Sequence, residues 1–537
     1  MQRALSRLAS EQFDLLIIGG GATGCFTARD AAMRGLKVAL VETRDFASAT
    51  SAHNSKLAHG GLRYLRNLEF SLVRESLRER RNLQAIAPHL VRPLPFLLPL
   101  HDGDANGRLT LSAGLTLYDL LSYDRNRMND PAQKMPGHRW IGRTEALGRE
   151  PVLEGKGFRG AFEYHDAQMY APERIALECL IDADEHGAAL ANHLAAERLL
   201  VKDKRVEGAS VRDGLSGDAF DIRARLTLVA AGPWADIFLE HGTGRPAHHR
   251  LLRSKGIHLL LPEISRSALT VEAGGGHNFV LPWRGHTLLG TTDTEFRGPP
   301  ETVAVSERDI EDFLALVNRY LPAAGLKREQ VEFFYAGLRP LVDDGSGQTY
   351  NASRRSELVD HAKDDGVEGL LSALGGKWTT SRHLAEIITG HSVKKLGLKA
   401  RACATATTLL PGARFDSWDA LLRRHARKFP GIASIRHLTH MFGARLSQLL
   451  EDAKAEDLAE LGESGDTMVQ VIHAVREEMA LTLEDVVMRR TSLGQFGPPR
   501  NLAKVADMVG AMLGWDESRR WREMEIIGAL YRTRESA

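Results

Sequence analysis

A chain of 537 residues is too long for one compact core and implies about two to four domains or subdomains. Its 43% hydrophobic and 26% charged residues describe an ordinary folded protein rather than a disordered one. A formal net charge of +1, from 70 basic and 69 acidic residues, removes any global argument for nucleic acid as a partner. Cys25, Cys179 and Cys403 have neither metal-ligand spacing nor a disulfide framework, so no metal site is expected and a reducing compartment is the simpler reading. No apolar run reaches the roughly 18 residues of a membrane span, and MQRALSRLASEQ lacks the apolar core of a signal peptide. The expected location is the cytoplasm, with peripheral contact at the cytoplasmic membrane face left open because it needs no spanning helix.

Residues 13–18, FDLLII, form a short apolar run suited to a buried parallel strand. It leads into Gly19-Gly20-Gly21-Ala22-Thr23-Gly24, which satisfies G-x-G-x-x-G at Gly19, Gly21 and Gly24. The first glycine permits the tight turn, the second lets the backbone approach a pyrophosphate, and the third lets helix and strand pack closely. ATGCFTARDAAMRG then reads as a helix ending at Gly35, and its N-terminus offers free N–H groups and a positive dipole to phosphate. A second strand over 37–42 stops on Glu42, placed to accept from ribose hydroxyls and to repel a 2′-phosphate. This order predicts a dinucleotide site without separating FAD from NAD.

Further along, FSLVRESLRERR (70–81) puts Phe70, Val73 and Leu77 on one face of a basic helix, while 90–100 and 109–121 are apolar but short. Such a surface can bind anionic lipid, although packing on its own domain is the commoner fate of such a helix. Residues 226–234, LTLVAAGPW, read as a strand entering a small-residue turn at Gly232, similar to the second flavin-binding motif of two-dinucleotide-type flavoproteins. IHLLLPEI, HNFVLPW and HTLLGTTD read as strands parted by Gly and Pro turns. Near residue 370, LLSALGGKWTTSR repeats the strand, glycine turn and helix start. Gly375 and Gly376 allow close approach to an isoalloxazine ring, and Thr379 or Thr380 is the expected cap of a helix whose positive end favours reduced flavin. Three such segments in this order select FAD.

The expected fold is α/β. A Rossmann-type FAD-binding domain is assembled from 13–95, 155–250 and 335–400, and a substrate-binding domain on a mixed or antiparallel sheet comes from 96–154 and 251–334. Apolar residues recur at helical spacing beyond about 405, which predicts an α-helical C-terminal cap over 405–537. Structural support is its expected role, with assembly of a homodimer as the alternative.

The chain resembles the FAD-dependent glycerol-3-phosphate dehydrogenases of aerobic respiration, within the D-amino-acid-oxidase-like flavoproteins. The resemblance is carried by IIGGGATG (17–24), SKLAHGGLRYL (55–65), AGPW (231–234), SKGIH (254–258), GTTD (290–293), GLRPL (337–341) and GGKWTT (375–380). It runs over nearly the whole chain, and SKLAHGGLRYL is its most specific element. The resemblance implies that Thr50, Ser51, Ser55 and Lys56 wrap the flavin. It implies that Arg63, Tyr64, His258, Arg339, Arg354 and Lys377 meet the substrate, with Lys377 also beside the cofactor. Arg355 is an alternative to Arg354, and Pro172 stands where the family is often acidic, which leaves the exact polyol phosphate open.

A phosphate monoester carries close to two negative charges, and Arg63, Arg339, Arg354 and Lys377 bring cations to it from four distant segments. Oxidising a secondary alcohol removes a hydroxyl proton and a hydride. His258 is the expected base and Arg339 the group that polarises the developing alkoxide, with His59 as the rival base. The implied reaction takes sn-glycerol 3-phosphate to dihydroxyacetone phosphate by hydride transfer to flavin N5, with a quinone as electron acceptor. An oxidase using oxygen, an amine-oxidising relative and a non-catalytic flavin-bound interaction protein are the alternatives.

Overall fold

The apolar run near the N-terminus forms the strand Gln12–Ile18, whose inner residues Leu15 to Ile17 are wholly buried. It lies at the centre of an eight-stranded sheet in a computed structural model that describes residues 1–65, 67–104, 106–244, 250–273, 276–343, 356–451 and 453–535. Val38–Val41 and Ala219–Val229 pair with it in parallel on either side, and Leu370–Gly375 continues the sheet beyond Ala219–Val229. Where they pair in parallel, residues 15–18, 38–41 and 226–229 are buried and, Thr227 apart, apolar, as strands covered on both faces require. The glycine turn leads from the first strand into the helix Ala22–Met33. A Cβ on Gly24 would stand 1.9 Å from the Gly19 carbonyl oxygen, so helix and strand meet at a distance that only glycine allows.

A second, ten-stranded sheet is mixed. Leu251–Pro262 pairs antiparallel with His286–Gly290 and with Phe333–Val342, while Ala268–Ala273 joins Val91–His101 in parallel. Val91–His101 in turn pairs along its whole length with Phe158–Met169. The boundaries expected near 95, 155 and 335 therefore need correction. Phe158–Met169 and Phe333–Val342 belong to the substrate-side sheet rather than to the nucleotide sheet, because their ladders run to Val91–His101 and Leu251–Pro262.

The basic helix expected over 70–81 extends over Phe70–Ile86, with Val73 and Leu77 buried and Phe70 half-exposed. Its arginines are mostly internal partners: Arg74 and Arg81 pair with Asp124, and Arg80 pairs with Asp166. Residues 90–100 form a strand of the second sheet, whereas 109–121 lie on the helix Arg108–Leu121, of which Leu115 and Tyr118 are buried. Among the described residues no helix is long and apolar enough to cross a membrane. The C-terminal region is helical as expected, with Met468–Glu477, Leu502–Leu513 and Glu517–Ala529 packed around Val471, Val505, Val509 and Ile527.

Gly24→Ala should destabilise the holoprotein by about 1–3 kcal/mol through overpacking against Gly19. A thermal melt checks this, and an unchanged midpoint would show that the turn can relax.

Candidate active site

Between the strands Val38–Val41 and Leu57–Ala58, residues 42–56 have no regular secondary structure and fold back over the glycine turn. Ala47 N–H donates to the Gly20 carbonyl (2.9 Å), and Ala22 N–H donates to Ser51 Oγ (2.9 Å) at the start of the helix. Thr50 Oγ1 donates to the Leu338 carbonyl (2.7 Å), which ties the loop to the second sheet. Glu42 accepts the Gly20 N–H at one carboxylate oxygen (2.7 Å) and the Arg44 N–H at the other (2.9 Å). Burial raises its carboxyl above the ordinary value, and the two backbone donors oppose that rise. Each oxygen has further lone pairs for ribose hydroxyls.

A cavity of about 570 Å³ joins the glycine turn to the second sheet. Gly21, Thr50, Ser51, Gly232, Gly375 and Gly376 line its nucleotide side. His59, Tyr64, His258, Arg339, Lys377 and Thr379 line the same cavity. Gly21 occupies the N-cap position of the helix Ala22–Met33 without a capping side chain, so the positive helix end opens on the cavity. Glycine and small hydroxyl residues along one wall, a helix N-terminus at one end and cations at the other fit an anionic dinucleotide with a flat ring.

His258 lies on Leu251–Pro262 and is 3% exposed. The Tyr335 ring on one neighbouring strand stacks on it with centroids 5.0 Å apart. On the other neighbour, directly opposite, stands Gly290, where a Cβ would come within 2.1 Å of the imidazole. His258 Nε2 is 2.9 Å from Ser55 Oγ, while its buried Nδ1 has no hydrogen-bond partner among the described residues. Burial, then the charges of Arg339 and Lys56, hold its pKa well below the usual histidine range. The ring is neutral, as a proton acceptor must be.

Arg339 is fixed by the same sheet. Its Nη1 donates to Ser254 Oγ (2.8 Å), and its Nη2 donates to Thr291 Oγ1 (2.7 Å) and to the Thr292 carbonyl (3.0 Å). Gly256 makes room for it, since a Cβ there would meet Nη2 at 2.4 Å. Lys377 Nζ donates to Ser76 Oγ (2.8 Å) and sits 4.4 Å from the centroid of the buried Tyr64 ring.

Other residues fall differently. The Lys56 ammonium faces away from the cavity wall, donating to the Ala52 carbonyl (2.8 Å) and lying 3.4 Å from Glu173 Oε2. Burial lowers its pKa and Glu173 opposes that shift. The expected threonine cap is corrected: the helix Ser381–Leu396 has Thr380 at its N-cap position, but the Thr380 hydroxyl donates back to the Lys377 carbonyl (3.4 Å). Thr379 Oγ1 instead accepts the His59 N–H (3.2 Å), which ties the two motifs together. Arg63 belongs to the turn Leu62–Leu65, but its side chain lies outside the described residues, as do Arg354 and Arg355.

Sequence reasoning missed Ser254, Thr291 and Asp293 around Arg339, and the Ser55–His258 contact. The motifs SKGIH and GTTD hold Ser254, Thr291 and Asp293, but Ser254 stands two positions before Gly256 and nothing local marks these side chains as partners of Arg339. It also missed Asp166, which accepts from the Gly60 N–H (3.1 Å), Arg80 (2.6 Å) and Tyr118 (2.9 Å) and so holds the HGG segment.

The depressed pKa of His258 has a stability consequence. Below about pH 6.5 the unfolded chain binds a proton at this position that the folded protein refuses. Stability from the neutral ring is complete above that pH and is lost as pH falls through it. Relative to His258→Gln, the native protein should lose up to about 1.4 kcal/mol per pH unit between about pH 6 and 5. Denaturant unfolding at several pH values measures this, and a pH-independent difference would count against a neutral buried ring.

Residues 14–382 match the family described as FAD dependent oxidoreductase, and residues 403–520 match the C-terminal domain of alpha-glycerophosphate oxidase. The chain is 37% identical to a glycerol-3-phosphate dehydrogenase of Synechocystis sp., with 96% of each chain covered. It is 36% identical to glycerol-3-phosphate dehydrogenase 2 of Mycobacterium tuberculosis, covering 96% of this chain and 87% of that one. The solved glycerol-3-phosphate dehydrogenase of Bacillus halodurans complexed with FAD matches with a TM-score of 0.78 at 25% identity, covering 98% of this chain and 96% of that one. With the dinucleotide cradle, the neutral histidine and the fixed arginine on one cavity, the chain belongs to the FAD-dependent glycerol-3-phosphate dehydrogenase family of D-amino-acid-oxidase-like flavoproteins, and its cofactor is FAD.

Proposed function

We propose that the protein oxidises sn-glycerol 3-phosphate to dihydroxyacetone phosphate, with a quinone as the final electron acceptor. The observation that carries this reading is the shared cavity, in which neutral His258 and the cations Arg339 and Lys377 stand next to the nucleotide groove. FAD, when bound, supplies the two-electron acceptor for the hydride.

The residues divide the remaining work. Lys377, with Arg63 and Arg354 as further candidates, supplies charge for a phosphate dianion. His258 Nε2 takes the hydroxyl proton, and the Ser55 hydroxyl lies 2.9 Å from that nitrogen. Arg339, held by Ser254 and Thr291, faces the oxygen on which negative charge develops. Because Arg339 and Lys56 depress the basicity of His258, an incoming dianion offsets their field and restores it. Substrate binding thus strengthens its own base.

The acceptor reading draws support from the helix Arg108–Leu121. Its inner residues Leu111, Leu115 and Leu117 line the cavity, while Leu109 is 87% and Leu120 66% exposed. Leu68 and Phe70, also on the cavity lining, are 70% and 43% exposed beside this mouth. Such a rim suits an apolar acceptor drawn from a bilayer and peripheral contact with its surface.

Anaerobic mixing of holoprotein with glycerol 3-phosphate, glycerol or glycine tests the reaction. Loss of flavin absorbance with glycerol 3-phosphate alone is expected; bleaching by glycine would point to an amine oxidase, and no bleaching to a binding protein. Readmitting oxygen and then a quinone distinguishes oxidase from dehydrogenase. Arg339→Lys should lower kcat/KM by about 10²-fold or more. The acid limb of kcat, which reports the substrate complex, should lie at higher pH than that of kcat/KM once the substrate's own ionisation is allowed for. Coincident limbs would remove the substrate-strengthened base.

Leu109→Glu combined with Leu120→Glu should reduce cosedimentation with anionic phospholipid vesicles while leaving anaerobic bleaching unchanged. Undiminished vesicle binding would overturn the assignment of this rim.

A further inference from the structure

The loop over 42–56 touches the site on one side and the C-terminal cap on the other. Thr50, Ser51, His53 and Ser55 face the cavity. Asp45, Ser48, Ala52 and Lys56 face the cap or its partners. Asp45 is wholly buried and accepts from Arg489 Nε (2.6 Å), Arg490 Nη1 (2.7 Å), Arg490 Nη2 (2.8 Å) and Asn192 Nδ2 (2.9 Å). Both arginines lie on the π-helical turn Val486–Arg490 of the cap. Arg489 is held in turn by Glu484 and Asp485 (2.8 Å each), and Arg490 Nε by the Glu478 carbonyl (3.0 Å).

A second tie lies at the far end of the loop. Glu173 stands between Lys56 and the cap, with Oε2 3.4 Å from Lys56 Nζ and Oε1 accepting from Gln495 Nε2 (2.9 Å). Between the two ties is a cavity of about 30 Å³, lined by Ser48, Ala52 and Lys56 from the loop and by Met488, Arg489 and Gln495 from the cap. This fifteen-residue stretch has no ladder hydrogen bonds and is ordered internally by short turn bonds, such as Ser48 N–H to the Asp45 carbonyl (3.2 Å) and His53 N–H to the Ala49 carbonyl (3.0 Å). The forked Arg490–Asp45 pair near one end and the Lys56–Glu173–Gln495 chain at the other hold it from outside. Asp45 also brings negative charge close to the glycine turn, since its neighbour Phe46 packs on Gly20 and Ala47 binds the Gly20 carbonyl. The two arginines neutralise that charge where an anionic diphosphate is to sit.

We propose that Arg489, Arg490 and Gln495 of the cap are positioning residues for the cofactor loop. They set where Ser51 meets the helix N-terminus and where Ser55 meets His258, so the FAD site is complete only with the cap docked. The test compares Arg490→Met, Arg490→Lys and Ile527→Ala, the last in the cap's own core. Each variant is assayed for thermal midpoint, flavin spectrum and FAD dissociation constant by flavin fluorescence. Arg490→Met should weaken FAD binding by about 10- to 100-fold, the range in which outer partners of bound groups act, and Arg490→Lys should recover part of the loss. Ile527→Ala should lower the thermal midpoint while leaving FAD affinity near that of the native protein. Native-like FAD affinity in Arg490→Met would overturn the proposal, and so would an equal loss in Ile527→Ala. Should Arg490→Met fail to fold, Gln495→Ala carries the same comparison through the second tie.

Discussion

His258 is held between a stacked Tyr335 ring and a glycine backbone, and among the nearby charges the Arg339 guanidinium lowers its pKa most. In the proposed reaction His258 is the base, and the need for it to be neutral constrains everything near it. Carboxylates in its neighbourhood have to be occupied, since a free one would raise its proton affinity too early. Asp293 accepts from Ser254 at 2.6 Å and lies 3.8 Å from Arg339, and Asp166 is paired with Arg80. The hydroxyls of Ser254 and Thr291 orient Arg339, and Asp293 pairs with it at a longer distance. In the proposed reaction this cation both lowers the basicity of His258 and meets the anionic oxygen.

The two sheets divide this chemistry. The nucleotide-side sheet presents helix ends and small residues to the cavity, while the second sheet carries His258 and Arg339. The loop over 42–56 belongs fully to neither. It bonds to the glycine turn through Ala47 and Ser51, to the mixed sheet through Thr50, and to the cap through Asp45. Its position is therefore the sum of three sets of contacts, each made by a different part of the chain.

What could be read from the residues alone followed local pattern. FDLLII, the three glycines and Glu42 lie within thirty residues, and each has a short-range reason to be there. The boundaries near 95, 155 and 335 were not legible, because strands of either sheet are similar apolar runs and only their ladders assign them. Long-range pairs were equally hidden: Ser55 meets His258 across 203 residues, and Asp45 meets Arg490 across 445. Ser55 was assigned to the flavin on resemblance; its hydroxyl lies 2.9 Å from His258 Nε2 on the same cavity. GLRPL put Arg339 among the candidate site residues, but the hydroxyls that hold it were not legible, since a serine two positions before a glycine carries no signal of its own.

The interleaving of the two sheets has a consequence for how the molecule forms. The second sheet draws strands from 57–58, 91–101, 139–142, 158–169, 251–296 and 333–342, and the nucleotide-side sheet takes its strands from the gap between 169 and 251 and from both ends. The second sheet lacks its last strand until Phe333–Val342 has been made, and the nucleotide-side sheet until Leu370–Gly375 has. Most of the stabilising pairings thus have large sequence separation, which places the protein among slow, high-contact-order folders. During synthesis its apolar strands stay exposed for the time needed to make most of the chain, a period in which a folding assistant has work to do.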